Sequence, residues 1–250
     1  MTVDAHAKIN WTLEVLGVRP DGYHDLRSIV LPVPLHDTVT LTEAETITCT
    51  MSGSDLDVPQ ETNLAYRAAI ALREMAGGMR GVRIQIRKRI PSGSGLGGGS
   101  ADAAAVLNGL NVLWNLNLTK AELCAIAARI GSDVPALTLG GPVLMEGRGE
   151  RVRRLHPEEC AILPCPEEIV VLVPDIFAST PAVYREFREE DRGCGPNDLQ
   201  PAAIRLYPGI SGAIDRLKRQ GLTRVTMSGS GSAVYGVMRD FGVACHSSIS

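Results

Sequence analysis

From Lys8 to Leu16 hydrophobic and polar residues alternate. Ile9, Trp11, Leu13 and Val15 share one face, and Lys8, Asn10, Thr12 and Glu14 share the other. This is the period of a strand buried on one side. A lysine on such a strand is by default a solvated edge group. Pro20-Asp21-Gly22 predicts a turn that sets Tyr23 and His24 side by side. The apolar run from Ile29 to Leu41 is broken by Pro32 and Pro34, which predicts strands with a bend or an edge between them. Ile47 to Met51 continues as strand, and 52–59 reads as a loop. Asn63 caps a helix to about Ala76, with Leu64, Ala68, Leu72 and Met75 on one face and Gly77-Gly78 as its stop.

Alternation returns at Val82, Ile84 and Ile86 in a strand drawn from 82 to 90. That strand runs into a loop, Pro91-Ser92-Gly93-Ser94-Gly95-Leu96-Gly97-Gly98-Gly99-Ser100, and a helical pattern follows through Val106, Leu107 and Leu110. A glycine loop between strand and helix aims backbone N–H groups and the positive end of the helix at one point. That is an anion site, usually for a phosphate. Gly93-x-Gly95-x-x-Gly98 imitates a dinucleotide motif, but Thr119-Lys120-Ala121-Glu122 stands where a second strand would end in an acid. It is instead the capping box of a helix through Ile130. No lysine lies inside the loop, so it is not a Walker A loop, and a catalytic lysine must come from elsewhere. The hydroxyls of Ser94 and Ser100 are nearby, and Lys88 and Arg89 bring positive charge to the loop entrance.

Asp133, ahead of Pro135, reads as a helix N-cap. Pro142–Met145 and Arg151–Leu155 form a strand pair around the turn Gly147-Arg148-Gly149. The texture changes at 156–168, which predicts two domains, 1–156 and 157–250. In the second, 169–173 is a buried strand, and Ser179-Thr180-Pro181 opens a short helix containing Tyr184. Residues 185–195 are charged and exposed, and Asn197-Asp198 is a turn or cap. Helices then run to Gln220. A strand over 223–226 leads into a second glycine loop with Gly229, Ser230 and Gly231, followed by a strand.

With 250 residues, 44% hydrophobic content and a net charge of -3, the chain has the composition of a soluble globular protein. Without a basic excess, and with only 4% aromatics, it gives no case for nucleic acid. No stretch approaches the length of a membrane span, and the polar first residues do not form a signal peptide. Six cysteines without a Cys-x-x-Cys pair read as reduced packing residues of a cytoplasmic protein.

Ala7-Lys8-Ile9-Asn10, the loop from Pro91 to Ala105, and Ser228–Ser232 stand in the order of the three motifs of the GHMP kinase superfamily, which the chain resembles. Asp21-Gly22-Tyr23-His24, the triple glycine at 97–99 and Gly131-Ser132-Asp133-Val134-Pro135 narrow the resemblance to the 4-diphosphocytidyl-2-C-methyl-D-erythritol kinase family, over residues 5–238. The resemblance implies an α+β, two-domain GHMP kinase fold. Its N-terminal domain would be ribosomal S5-like, its C-terminal domain a ferredoxin-like α/β sandwich, with the active site in the cleft between them.

It further implies a phosphotransferase using ATP and Mg2+. ATP phosphates would lie on Pro91, Gly93, Ser94, Gly95, Leu96, Gly97, Gly98, Gly99 and Ser100, with the adenine end at Asn63 and Lys88. The metal would be held mainly by those phosphates, with Ser100 as a ligand. Tyr23 and Tyr184 would sandwich the cytosine ring, and His24 would bond its edge. Asn10 and Thr180 would hold the substrate, and Gly229, Ser230 and Gly231 would close over its diphosphate or sugar. Lys8 and Asp133 match the catalytic pair.

Three departures accompany the match. Ala101 replaces a second serine, the 184–197 segment is short, and after Asp240 the family's last helix and edge strand are absent. The last implies an open apolar sheet face in a monomer or weak homodimer. A kinase for another alcohol, such as homoserine or mevalonate, and a nucleotide-binding protein without turnover are the alternatives; Gly22-Tyr23-His24 argues against the other alcohols.

Overall fold

The computed structural model describes residues 1–53 and 58–238. β1 (Thr2–Asn10) and β2 (Glu14–Val18) both pair antiparallel with one long strand, β3 (His24–Ala44). β4 (Ile47–Ser52) is followed by α1 (Leu64–Met75) and β5 (Gly81–Arg87), which lies parallel to β4 and antiparallel to β3. Three helices follow: α2 (Gly98–Leu113), α3 (Lys120–Ala127) and α4 (Val134–Leu139). The hairpin of β6 (Val143–Gly147) and β7 (Arg151–Arg154) closes a seven-stranded sheet in the order β4-β5-β3-β6-β7, with β1 and β2 also on β3.

Beyond α5 (Pro157–Cys160) come β8 (Ile169–Leu172), the helices α6 (Thr180–Glu186), α7 (Gln200–Leu206) and α8 (Gly209–Arg219), then β9 (Thr223–Met227) and β10 (Val234–Val237), and the three strands form a second sheet. Its strand order is β8-β10-β9, antiparallel throughout. The expected changes at residues after Asp240 lie outside the described residues, as do 54–57 of the loop before Asn63.

The expected division into separate strands at Pro32 and Pro34 is overturned, because both prolines sit inside one continuous 21-residue strand, but the expected edge is there. A proline cannot donate to a ladder, and here no donor is required. On one edge of β3, β6 pairs with Leu26–Val30 and β5 pairs with Thr38–Ala44, which leaves 31–37 without a partner strand. On the other edge β1 bulges between His6 and Lys8, and the Lys8 N–H turns away to Leu96 O at 3.0 Å.

The single strand expected over 8–16 is broken after Asn10. Side chains take over there. Asn10 Nδ2 donates to Ser28 Oγ, the Ile29 N–H donates to Thr12 Oγ1, and Tyr235 Oη donates to the carbonyls of Asn10 and Trp11 at 3.1 and 3.3 Å. Leu13 then pairs with the second half: its N–H donates to Pro196 O, and its carbonyl accepts from the Asp198 N–H.

The two larger hydrophobic cores therefore cross the composition boundary at 156–168. The first gathers Ile9, Leu41, Ile84, Leu107 and Leu110 around α2 and includes Ile169 and Tyr235 from the second half. The second gathers Leu199, Ile210, Leu217 and Val234 and includes Leu13, Val15 and Leu26 from the first. Each fully buried Leu or Ile contributes about 1.5–3 kcal/mol. α2 is alanine-rich and buried on several sides, which lets α1, α4 and β1 approach it closely. On α1 the buried face is Ala65, Ala68, Ala69 and Leu72, so Met75, expected inside, is half exposed. Segment 185–195 is not wholly exposed either. Asp191 is buried because Arg205 donates to both its carboxylate oxygens, at 2.8 and 2.6 Å.

Candidate active site

A cavity of about 1030 Å3 opens between the first sheet's glycine loop and the second sheet's glycine loop. α2 starts at its wall. Gly97 is the N-cap in the left-handed region (φ +72°) and provides no side-chain cap. The first N–H groups of α2 therefore carry the positive helix end into the cavity, where Gly97, Gly98, Gly99 and Ser100 are exposed to it. A Cβ at Gly97 would come 3.1 Å from Lys8 Cε. Glycine at this position lets the lysine pass beside the helix start.

Lys8, expected as a solvated group, is only 3% exposed. Its Nζ donates to Asn10 Oδ1 at 2.6 Å and faces Asp133 Oδ2 at 3.3 Å. Asn10 is fixed in turn by its bond to Ser28 Oγ at 2.8 Å. Asp133 occupies the N-cap position of α4, but its side chain makes no cap hydrogen bond. Its carboxylate faces the cavity and the ammonium instead. Lys8 thus comes from one strand, Asp133 from a helix start, and together they form part of the cavity wall.

The two glycine loops lie in direct contact. Ser228 Oγ donates to Gly95 O at 3.1 Å, and Ala233 N–H donates to Ser94 O at 2.9 Å. Gly229 and Ser230 line the cavity, while Gly231 packs its backbone against Gly95 and does not. Ser230 Oγ and Thr180 Oγ1 share a hydrogen bond at 2.7 Å. Asn197, read as a turn or cap, holds the second loop in place. Its Nδ2 donates to the carbonyls of Met227 and Gly229, both at 2.8 Å.

The far wall is aromatic. His24 and Tyr184 lie with ring centroids 4.9 Å apart, and Tyr23, 54% exposed, lies under the Arg148 guanidinium at 5.6 Å. Burial lowers the His24 imidazole below its ordinary value, which favours the neutral ring. Burial, with the charge of Asp133 adding to it, raises the Tyr184 phenol, which keeps its proton.

Other expected site residues stand elsewhere. Leu96 is fully buried and enters the site only through its carbonyl, which accepts from the Lys8 N–H. Asn63 does not line the cavity; its Oδ1 caps α1 at the Ala65 N–H. The Ser94 hydroxyl turns inward to Pro91 O at 2.6 Å. Pro91, Gly93, Ser94, Gly95 and Lys88 do line the cavity. Ala101 faces a separate cavity of about 270 Å3 behind Lys8, so the replaced serine does not border the larger one.

Lys88 is held between two buried carboxylates, Asp37 and Asp102, with Asp102 at 2.6 Å. Burial works to lower the Lys88 ammonium, but Asp102 and Asp37 outweigh it and leave it raised. Asp37 also accepts from the Arg89 and Ile90 N–H groups. Burial pushes Asp102 up to about 7, against the pull of Lys88, and its Oδ1 has no partner. One ammonium between two buried carboxylates leaves an excess negative charge, and Asp102, with fewer donors, is the one pushed up.

Residues 63–141 match the GHMP kinases N terminal domain, and residues 180–244 match the GHMP kinases C terminal model. The 4-diphosphocytidyl-2-C-methyl-D-erythritol kinase of Moorella thermoacetica is 42% identical over 96% of this chain and 90% of its own. The enzyme of the same name from Pelotomaculum thermopropionicum is 38% identical over the same shares. The chain belongs to this family of GHMP kinases.

A crystal structure of 4-(cytidine 5'-diphospho)-2C-methyl-D-erythritol kinase overlays with a TM-score of 0.78 at 38% identity, covering 95% of this chain and 90% of that one. Homoserine kinase from Cytophaga hutchinsonii, at 17% identity and a TM-score of 0.65, shares the fold. The GHMP kinase architecture thus joins the two glycine loops and the Lys8–Asp133 pair in one cavity. Sequence reasoning missed Asp37, Asp102, Asn197, Arg148 and Arg185 as parts or supports of this GHMP site. Asp37 and Asn197 act through partners 30 or more residues away, and no local spacing announces them. Among the described residues no helix is long and apolar enough to cross a membrane.

Proposed function

We propose that this protein transfers the γ-phosphoryl group of ATP to the 2-hydroxyl of 4-diphosphocytidyl-2-C-methyl-D-erythritol, giving the 2-phosphate and ADP in isoprenoid precursor synthesis. The observation that carries this reading is the Lys8–Asp133 pair, 3.3 Å apart, in a cavity with a phosphate loop on one side and Tyr23, His24 and Tyr184 on the other. ATP phosphates rest on the loop and first turn of α2, where N–H groups and the helix dipole meet them. The cytosine lies between Tyr23 and Tyr184, and neutral His24 bonds its edge. Asp133 orients the acceptor hydroxyl and takes up its proton. Lys8, held by Asn10, stabilises the charge that develops on the transferred group. A loose transition state requires little prior deprotonation, so positioning is the larger share of Asp133's work.

Among the described residues no group of three His, Cys, Asp or Glu side chains could cage a metal. A lone hydroxyl at the phosphate end fits Mg2+, a hard cation that keeps waters and binds through phosphates. Ser100 would hold it, and bound Mg2+ would neutralise phosphate charge. Thiols such as Cys49 and Cys124 fit a cytoplasmic protein. ADP release measured with the cytidyl acceptor, homoserine and mevalonate tests the reading. ADP should form with the cytidyl acceptor alone, and ATP binding without ADP formation would refute the activity.

A further inference from the structure

Asp133 turns away from the helix that it starts. α4 has only six residues, and a helix that short is not stable by itself. The usual N-cap bond is missing, because the Asp133 carboxylate faces the Lys8 ammonium at 3.3 Å. At the other end, the last carbonyls of α4 have no partner within the helix, and side chains from three other elements meet them. Lys120, the first residue of α3, donates from Nζ to Thr138 O at 2.9 Å and to Asn108 Oδ1 at 2.7 Å. Asn108, on α2, donates from Nδ2 to the same Thr138 O at 3.3 Å. Arg154, the last residue of β7, donates from Nη2 to Leu139 O at 3.0 Å. Burial lowers the Lys120 ammonium, and the charge of Arg154 adds to the effect. Two cations so close repel each other, and the negative end of α4 is what draws both there. None of the three side chains lines the larger cavity.

We propose that Lys120 and Arg154, with Asn108, are positioning residues for Asp133: by holding the C-terminal end of α4 they fix where the carboxylate at its N-terminal end stands beside Lys8. This rests on the kinase reading above, in which Asp133 orients the acceptor hydroxyl. Six helical residues span only about 9 Å, so α4 moves as a short rigid lever. Ala136, near its middle, is buried and acts as the pivot. Drift of the Leu139 end by about 1 Å therefore moves Asp133 by a similar distance, and a misplacement of that size costs up to about a hundredfold in rate. Lys8 does not follow, because Asn10 holds its ammonium separately at 2.6 Å.

Steady-state kinetics on the full chain tests this with K120M, R154M and the two together, each built also on D133N. Methionine keeps an unbranched stem and removes the donors. Well below Tm, K120M/R154M should lower kcat about tenfold, with KM for ATP and for the cytidyl acceptor changed less than about twofold. K120R, which keeps a cation and its donors at this point, should stay near the wild-type rate. On D133N, itself about a hundredfold down, the pair should cost no more than about twofold further, because the carboxylate that it positions is gone. If the pair does not fold, K120M alone carries the same comparison, with an expected loss of about threefold. An unchanged kcat overturns this positioning role, and so does an equal loss repeated on D133N, which would mark a structural effect that does not pass through Asp133. In both cases the kinase reading stands. D133N at the wild-type rate removes Asp133 from the chemistry and the positioning role with it, and a wild type that forms no ADP overturns the kinase reading as well.

Discussion

Gly95→Ala puts the contact between the two glycine loops to the sharpest test. Gly95 has φ +76°, and a Cβ there would come 2.9 Å from Gly231 O and closer still to Ser228 O. Those are backbone atoms of the opposite loop, so no side chain can swing aside. The left-handed backbone costs a non-glycine residue about 1–2 kcal/mol, and forcing a methyl group into a closed contact adds about 1–3 kcal/mol. The loops can escape by parting, but then they lose Ser228 Oγ→Gly95 O and Ala233 N–H→Ser94 O, at about 0.5–1.5 kcal/mol each. Either way the loss is roughly 2–5 kcal/mol, and at about 2–4 °C per kcal/mol for a chain of this size Tm falls by roughly 4–20 °C. The donor loop also shifts against Lys8 and Asp133, and displacement on the order of 1 Å costs about a hundredfold in turnover. Thermal unfolding and steady-state kinetics read both effects. A Tm within about 1 °C of wild type with unchanged turnover, the behaviour of a neutral surface change, would show that the loops are not in contact.

Asp133→Asn and Lys8→Met should each lower turnover at least about a hundredfold while calorimetry finds ATP binding largely intact; near-normal rates remove both from the chemistry. Thr138 is fully buried and its hydroxyl has no partner, so Thr138→Val should leave Tm unchanged or raise it, and a loss above about 1 kcal/mol would reveal a bond to that hydroxyl. His24, lowered by burial from 6.5, binds fewer protons folded than unfolded. It therefore contributes stability above pH 6.5 that is lost as pH falls through the window down to its depressed value. An NMR titration should give its midpoint below 6.5, and a midpoint at or above 6.5 contradicts the burial.

Much of the site was legible because its chemistry is local. Gly93, Gly95 and Gly97 take unusual backbone angles and lie between a strand and a helix, so the loop shows itself in any window of the chain. Tyr23 and His24 are adjacent at a turn, and Thr119-Lys120-Ala121-Glu122 caps a helix by contacts three residues apart, as observed. The misreadings came where a partner was distant. Pro32 and Pro34 look like an interruption until β5 and β6 are seen to leave one edge of that stretch of β3 without a partner strand. Lys8 looks like a solvated group until Asn10, Asp133 and the α2 start enclose it. Asp133 looks like a cap until its carboxylate is found facing an ammonium.

Read alone, the chain determines most of its strands and helices, its glycine loop and its family, since these rest on periodicity, capping and motif order. Tertiary structure alone decided which polar groups are buried and what they hold. Lys88 meets Asp37 and Asp102 across 51 and 14 residues, and Asn197 reaches the carbonyls of Met227 and Gly229 across 30 and 32. Such contacts follow from how the two sheets close on one another. A buried charge or amide takes whichever partner that closure brings within hydrogen-bond reach, and spacing along the chain does not encode that distance.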